Sequence, residues 1–173
     1  MPLPSILIAI KDEAGNDVPQ GESGEICIKG PNVMAGYYNQ PAENKNAFTS
    51  DGYFKTGDVG IMDERGYTKI VDRLKDMIIV SGFNVFPNEL ENTVSLCPGV
   101  LECAVIGVPD EKAGEAIKLF IIKKDVNLSE EEVKAYCRQN LTGYKMPKYI
   151  VFREDLPKTN VGKILRRELR AGK

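Results

Sequence analysis

The sequence predicts an α+β protein: a small β-rich subdomain, read as a piece of a distorted barrel, followed by a compact α+β carboxy-terminal domain. Three observations lead there. Residues 1–72 hold short apolar or alternating runs separated by turns rich in Gly, Asp and Asn, the pattern of short strands. After "VDRLKD" the runs lengthen and alternate with segments of helical periodicity. Hydrophobic residues make up 42% and charged residues 28% of the 173 residues, a balance that supports packed cores rather than disorder. The length suffices for two small cores. The composition shift places a boundary near Lys75, giving domains 1–74 and 75–173.

The elements follow in chain order. "SILIAI" is a short apolar strand, "DEAGND" a turn, and "GEICIKG" an alternating, half-buried strand. "QPAENKNAF" predicts one short helix, with Pro41 suited to its first turn. "SDGYFKTGDVG" reads as a polar loop that ends in Thr-Gly-Asp and runs into an apolar strand. "VGIMD" and "YTKIV" around "ERG" predict a hairpin, and "MIIV" with "NVF" a smaller one across "SG". "PNELENTVSLC" is a helix opened by Pro87, with Leu90, Val94 and Cys97 on one face. "LECAVIGV" and "EAIKLFIIKK" are strands around "PDEKAG", with Leu101, Cys103 and Val105 on one side of the first. "SEEEVKAYCRQ" is a helix with a capping box, Ser129 with Glu132, and an inner face of Val133, Tyr136 and Cys137. "YIVF" is a strand, and "GKILRRELR" a closing helix with a basic outer face.

Composition narrows the chemistry. A net charge of −2 gives no bulk attraction to nucleic acid, and none is expected as a partner. The longest apolar runs, "MIIV" and "LFII", are too short to span a bilayer, and "MPLPSILIAIKDEAG" lacks the features of a secretory signal. A cytoplasmic protein is therefore expected. With no histidine, Ser-His and Cys-His catalysis and imidazole metal ligands drop out. Cys27, Cys97, Cys103 and Cys137 form no CxxC pair and read as buried reduced thiols, so no metal site is expected. Lys, Arg, Asp, Glu, hydroxyls and backbone amides remain.

Three clusters offer such groups. In "YFKTGD", Asp58 is placed to accept hydrogen bonds from two adjacent hydroxyls, or else to cap a turn. "VDRLKDMIIVSGFNVFPNELE" sets Arg73 and Lys75 at the junction and Ser81-Gly82 in a turn open to close approach; a solvated linker and a plain hairpin are the other readings. "LPKTNVGKILRREL" places Lys163 where a glycine-containing loop meets a helix, unless it is one more surface lysine. Lys145, Lys148 and Arg166 read as solvated surface, with a phosphate-rich ligand as the alternative.

In order and spacing, these segments resemble the adenylate-forming enzymes: acyl-CoA synthetases, luciferases and peptide-synthetase adenylation domains. The resemblance runs from "GESGEICIKGPNVMAGYYNQPAEN" to "KTNVGKILRREL", and the wording of "VDRLKDMIIVSGFNVFPNELE" and "LTGYKMPK" is most similar to bacterial long-chain fatty-acid CoA ligases. It implies an AMP-forming acid–thiol ligase that joins a carboxylate to the α-phosphate of ATP and passes the acyl group to coenzyme A. Asp58 and Arg73 match the family's ribose contacts, Lys75 its hinge, Gly82 its pantetheine passage and Lys163 its adenylating lysine. ATP or AMP, coenzyme A and Mg2+ are the implied ligands, with the magnesium site mostly outside this chain. Members also carry several hundred upstream residues, including a Ser/Thr/Gly-rich phosphate loop ending in Lys; "GESGE" is no substitute, so the isolated chain is expected to be inactive. An aryl- or amino-acid-activating relative and a stand-alone binding module are the alternatives. A long-chain substrate would make peripheral contact with the inner face of the membrane reasonable.

Overall fold

The computed structural model describes residues 3–172. Its contacts divide the chain into two compact units, Met1–Lys75 and Asp76–Lys173.

The first unit is an antiparallel meander. Strands β1 (Leu7–Lys11), β2 (Ser23–Lys29), β3 (Phe54–Met62) and β4 (Thr68–Arg73) lie in the order β1-β2-β3-β4. Helix α1 (Pro41–Ala47) interrupts the path between β2 and β3, and Pro41 opens it. β1 and β4 are the two edges of the sheet. Where a piece of a distorted barrel is expected, the four strands form an open sheet, because β1 and β4 do not pair to close it. Ile10 pairs with Ile26 across β1 and β2, and both are buried with Cys27 and Val59. Lys11 is buried as well. Hydrogen bonds to Asp17 (2.8 Å) and then Asp51 (3.0 Å) hold its ammonium well above the usual lysine range.

The second unit is a sheet covered on both faces. β5 (Ile78–Val80), β6 (Phe83–Val85), β7 (Val100–Asp110) and β8 (Gly114–Lys123) follow the order β6-β5-β8-β7, and β9 (Tyr149–Arg153) joins β8 in parallel. The crossover from β8 to β9 is α3 (Glu130–Asn140), the connection a parallel pair requires. Cys103, Val105, Ile117, Leu119 and Ile121 face a core completed by Leu90 and Val94 of α2 (Pro87–Val94) and by Val133 and Cys137 of α3. Ala104, Ile106 and Phe120 face the other way, against Leu156 and against Leu169 of α4 (Arg166–Arg170). Burial on both faces explains the unbroken apolar runs "CAVI" and "LFII", since neither side of the strand needs polar residues. The capping box forms: Ser129 Oγ accepts from the Glu132 N–H, and the Glu132 carboxylate accepts from the Ser129 N–H at 2.8 Å.

Leu101 does not share a face with Cys103; a register shift between Val100 and Glu102 leaves it 62% exposed. Cys97 is buried but lies past the end of α2. The closing helix is α4 alone, five residues long, because residues before it turn back on themselves. All four cysteines are free and buried. Burial pushes the thiols up, to about 11 at Cys27 and Cys137 and to about 12 at Cys103.

Candidate active site

Asp58 is set by a bulge, not by a loop. Glu25 pairs with Val59 and Cys27 with Lys55, so Thr56, Gly57 and Asp58 of β3 stand opposite Ile26 alone. Gly57 takes φ +72°, a left-handed conformation that costs glycine nothing. Its N–H donates to the Glu25 carboxylate at 2.9 Å. Thr56 Oγ1 donates to the Ile26 carbonyl at 2.7 Å and accepts the Asp58 N–H at 3.1 Å. Thus Thr-Gly is the fastening of the bulge and Asp58 the residue it re-aims. The polar-loop expectation is replaced by a strand interior whose ladder is locally broken.

On the other edge of β3, Asp58 is paired with Arg73, and a second register shift follows between Val59 and Gly60. Arg73 Nε lies 3.2 Å from Asp58 Oδ1, with the side chains 52% and 29% exposed. Two residues fifteen positions apart in sequence thus share one ladder pair. A carboxylate has room for about four hydrogen-bond donors, so one guanidinium contact leaves Asp58 able to take two hydroxyls. Asp72, next to Arg73, is buried and accepts the Arg73 N–H at 2.7 Å, which braces the backbone there.

Lys75 is exposed in a 3-10 turn, Leu74–Asp76, across which the two units divide. In the second unit, Ser81 and Gly82 have φ +51° and +84°, the two-residue turn that suits the twist of a tight hairpin. A Cβ on Gly82 would meet nothing within 4 Å inside this chain, so here only the backbone conformation asks for glycine. Beside the turn, Phe83 stacks on Tyr144 with ring centroids 4.7 Å apart. Sequence reading did not single out this pair, because nothing local joins positions so far apart.

Lys163 is exposed, and it does not lie at the start of a helix as its sequence context predicts. It sits in a tight hairpin loop closed by the Lys158–Ile164 bridge. Thr159 N–H donates to the Lys163 carbonyl at 2.8 Å, and Lys163 N–H to Thr159 Oγ1 at 3.1 Å. The loop fixes the backbone and leaves a long, flexible cation free to reach outward.

The other basic candidates are engaged. Lys145 reaches Glu89, and Lys148 pairs with Asp110. That hydrogen bond to Lys148 holds the Asp110 carboxyl below the usual range and the lysine above its own. Arg166, between Glu91 and Asp76, is 15% exposed and the Lys145 side chain 16%, so the solvated-surface reading fails for both and holds only for Lys148.

Among known proteins, the model of the AMP-binding enzyme C-terminal domain matches residues 89–163, and that of the AMP-binding enzyme matches residues 1–38. Long-chain-fatty-acid–CoA ligases from Escherichia coli and Yersinia pestis are 53% and 54% identical over 170 residues, covering 98% of this chain and 30% of theirs. The ATP-bound structure of MatB from Rhodopseudomonas palustris is 41% identical with a TM-score of 0.91, covering 98% of this chain and 34% of that one. The chain thus spans about 30% of the length of those curated relatives.

Proposed function

The chain belongs to the AMP-binding enzyme family, and from that premise we propose that it is the carboxy-terminal part of an AMP-forming acyl-CoA synthetase acting on long-chain fatty acids. The observation that carries the reading is the Asp58–Arg73 pair: a carboxylate aimed by a bulge, braced by a guanidinium and still open to donors. Such a group fits the 2′ and 3′ hydroxyls of an adenylate, and Arg73 holds it at the angle needed to take both.

Two anions meet in the first half-reaction. A fatty-acid carboxylate oxygen attacks the α-phosphorus of ATP, the bond to the bridging oxygen breaks, and pyrophosphate leaves. Lys163, a mobile point charge on a fixed loop, reaches both the carboxylate and the α-phosphate and offsets their repulsion. In the second, the thiolate sulfur of coenzyme A attacks the acyl carbon and AMP departs. For this step the Asp76–Lys173 unit turns about Lys75, withdraws Lys163 and presents the Ser81-Gly82 turn to the pantetheine arm. Among the described residues no group of three or more Asp, Glu, Cys or His is arranged so as to hold a metal ion, so the magnesium that accompanies ATP is not assigned to them and no step runs through it. No described helix is long and apolar enough to cross a membrane. We propose that the enzyme works in the cytoplasm and meets its fatty acid in solution or at the inner membrane face.

The test is made on the intact enzyme. Fatty acid should drive ATP–pyrophosphate exchange, and free coenzyme A should be consumed as the thioester. Exchange driven only by aryl or amino acids, with transfer to a carrier-protein arm, would overturn the reading. The chain by itself should catalyse no exchange.

A further inference from the structure

Helix α4 is five residues long, too short to hold an orientation without outside contacts. Leu169, 3% exposed, anchors one side of it in the core. The other side is held by charge. Arg166 Nε and Nη2 donate to the two Glu91 oxygens at 3.2 and 2.7 Å, a bidentate fork. Nη2 also donates to Asn88 Oδ1 at 2.6 Å, and Nη1 to Asp76 Oδ2 at 3.4 Å. Arg170 Nη2 donates to Asp76 Oδ1 at 2.9 Å, and Glu91 Oε1 accepts the Val105 N–H at 2.8 Å. One network therefore joins α4 to α2, to β7 and to Asp76, which is 8% exposed.

Its two ends matter. Asp76 directly follows Lys75, and Arg166 lies just beyond the loop that carries Lys163. Backbone hydrogen bonds tie that loop down to its base, where Leu165 N–H donates to the Pro157 carbonyl at 2.8 Å. We infer that Arg166 is a positioning residue for Lys163: with Asp76, Glu91 and Arg170 it bolts the lysine's loop to the first residue past the hinge. A turn at Lys75 then carries Lys163 as part of one rigid body, and the angle reached at the hinge is the angle delivered at the lysine. The inference rests on the roles proposed above for Lys75 and Lys163. A bolt that served folding alone would affect both half-reactions alike.

The experiment is a double-mutant cycle in the intact synthetase. Arg166→Gln should slow acyl-adenylate formation about 10–100-fold, the loss expected when a reacting group is misplaced by about an ångström. Thioester formation from supplied acyl-adenylate should fall less than about threefold, since Lys163 is withdrawn in that step. In a Lys163→Ala background, Arg166→Gln should cost less than about twofold more. Arg170→Gln loses a single, more exposed contact to Asp76; it should fold and show the same selective loss on a smaller scale. Equal losses in both half-reactions, a full additional loss in the Lys163→Ala background, or unchanged adenylation in Arg170→Gln when Arg166→Gln fails to fold would each overturn the inference alone. Unchanged adenylation in Lys163→Ala would overturn the reading of Lys163, and the inference with it.

Discussion

Replacing Asp58 with alanine separates a structural contact from a binding contact. Within the protein, the change removes the ion pair to Arg73, whose side chains are 52% and 29% exposed. Pairs this open to water contribute about 0.2–1 kcal/mol, and Arg73 loses little because water replaces its partner. For a unit of this size the melting temperature should fall by no more than about 4–8 °C. In the proposed adenylate site, the same carboxylate would take two hydroxyls. Hydrogen bonds to a charged acceptor contribute roughly 1.5–3 kcal/mol each, so an adenylate should bind roughly 10²–10⁴-fold more weakly. Calorimetric titration of the intact enzyme with a non-hydrolysable acyl-adenylate analogue measures the second effect, and thermal melts of this chain the first. A 2′,3′-dideoxy analogue should bind wild type and Asp58→Ala with nearly equal affinity. Ribose-analogue binding within about threefold of wild type would refute the diol assignment, because a lost charged hydrogen bond exceeds that factor. A melting drop well beyond 10 °C would show Asp58 to be chiefly structural, against the surface-pair magnitude.

Gly82→Ala should destabilise the second unit by roughly 1 kcal/mol from its positive φ alone, and Gly82→Asn by less; paired thermal melts measure this, and equal melting of all three would refute it. Lys75→Pro should slow thioester formation more than adenylation, because proline stiffens the turn proposed as the hinge for the second step; equal losses in the two half-reactions would count against the hinge. The N–H and then the hydroxyl of Ser129 hold the Glu132 carboxyl below its usual range. A group with a depressed folded pKa stabilises above its unfolded value, near 4.3 for Glu, and the benefit is lost as pH falls through the lower folded value. Glu132→Ala, which removes the carboxylate that both Ser129 groups hold, should therefore lower the melting temperature more at pH 7 than at pH 3, and a deficit independent of pH would contradict the capping account.

What was legible from sequence was local. The Ser129–Glu132 capping box, Pro41 and Pro87 at helix starts, and the Ser81-Gly82 turn need only their neighbours in the chain, and all three took the expected form. The register-dependent features were hidden. Thr56-Gly57-Asp58 reads as a loop until Glu25 and Cys27 are laid against β3, and Leu101 leaves the core only because of a ladder slip. The pairing of Asp58 with Arg73 has no local signature. Arg166 was the hardest to read. In "KILRRELR" it lies on a basic helical face, and only the fold brings Glu91 and Asp76 to meet it across seventy-five and ninety positions. The loop of Lys163 was misread for a related reason: helical periodicity in "ILRREL" extends past the Lys158–Ile164 bridge that prevents a helix there.

The most direct test of the whole account is the partition of the Lys163→Ala effect between half-reactions in the intact enzyme. ATP–pyrophosphate exchange with a long-chain fatty acid should fall roughly 10²–10³-fold or more, as for the loss of other preorganised charge-stabilising donors. Thioester formation from supplied acyl-adenylate and coenzyme A should stay within about threefold of wild type, because the proposed turn at Lys75 withdraws the lysine for that step. Exchange at the wild-type rate, or equal loss in both steps, would contradict the account.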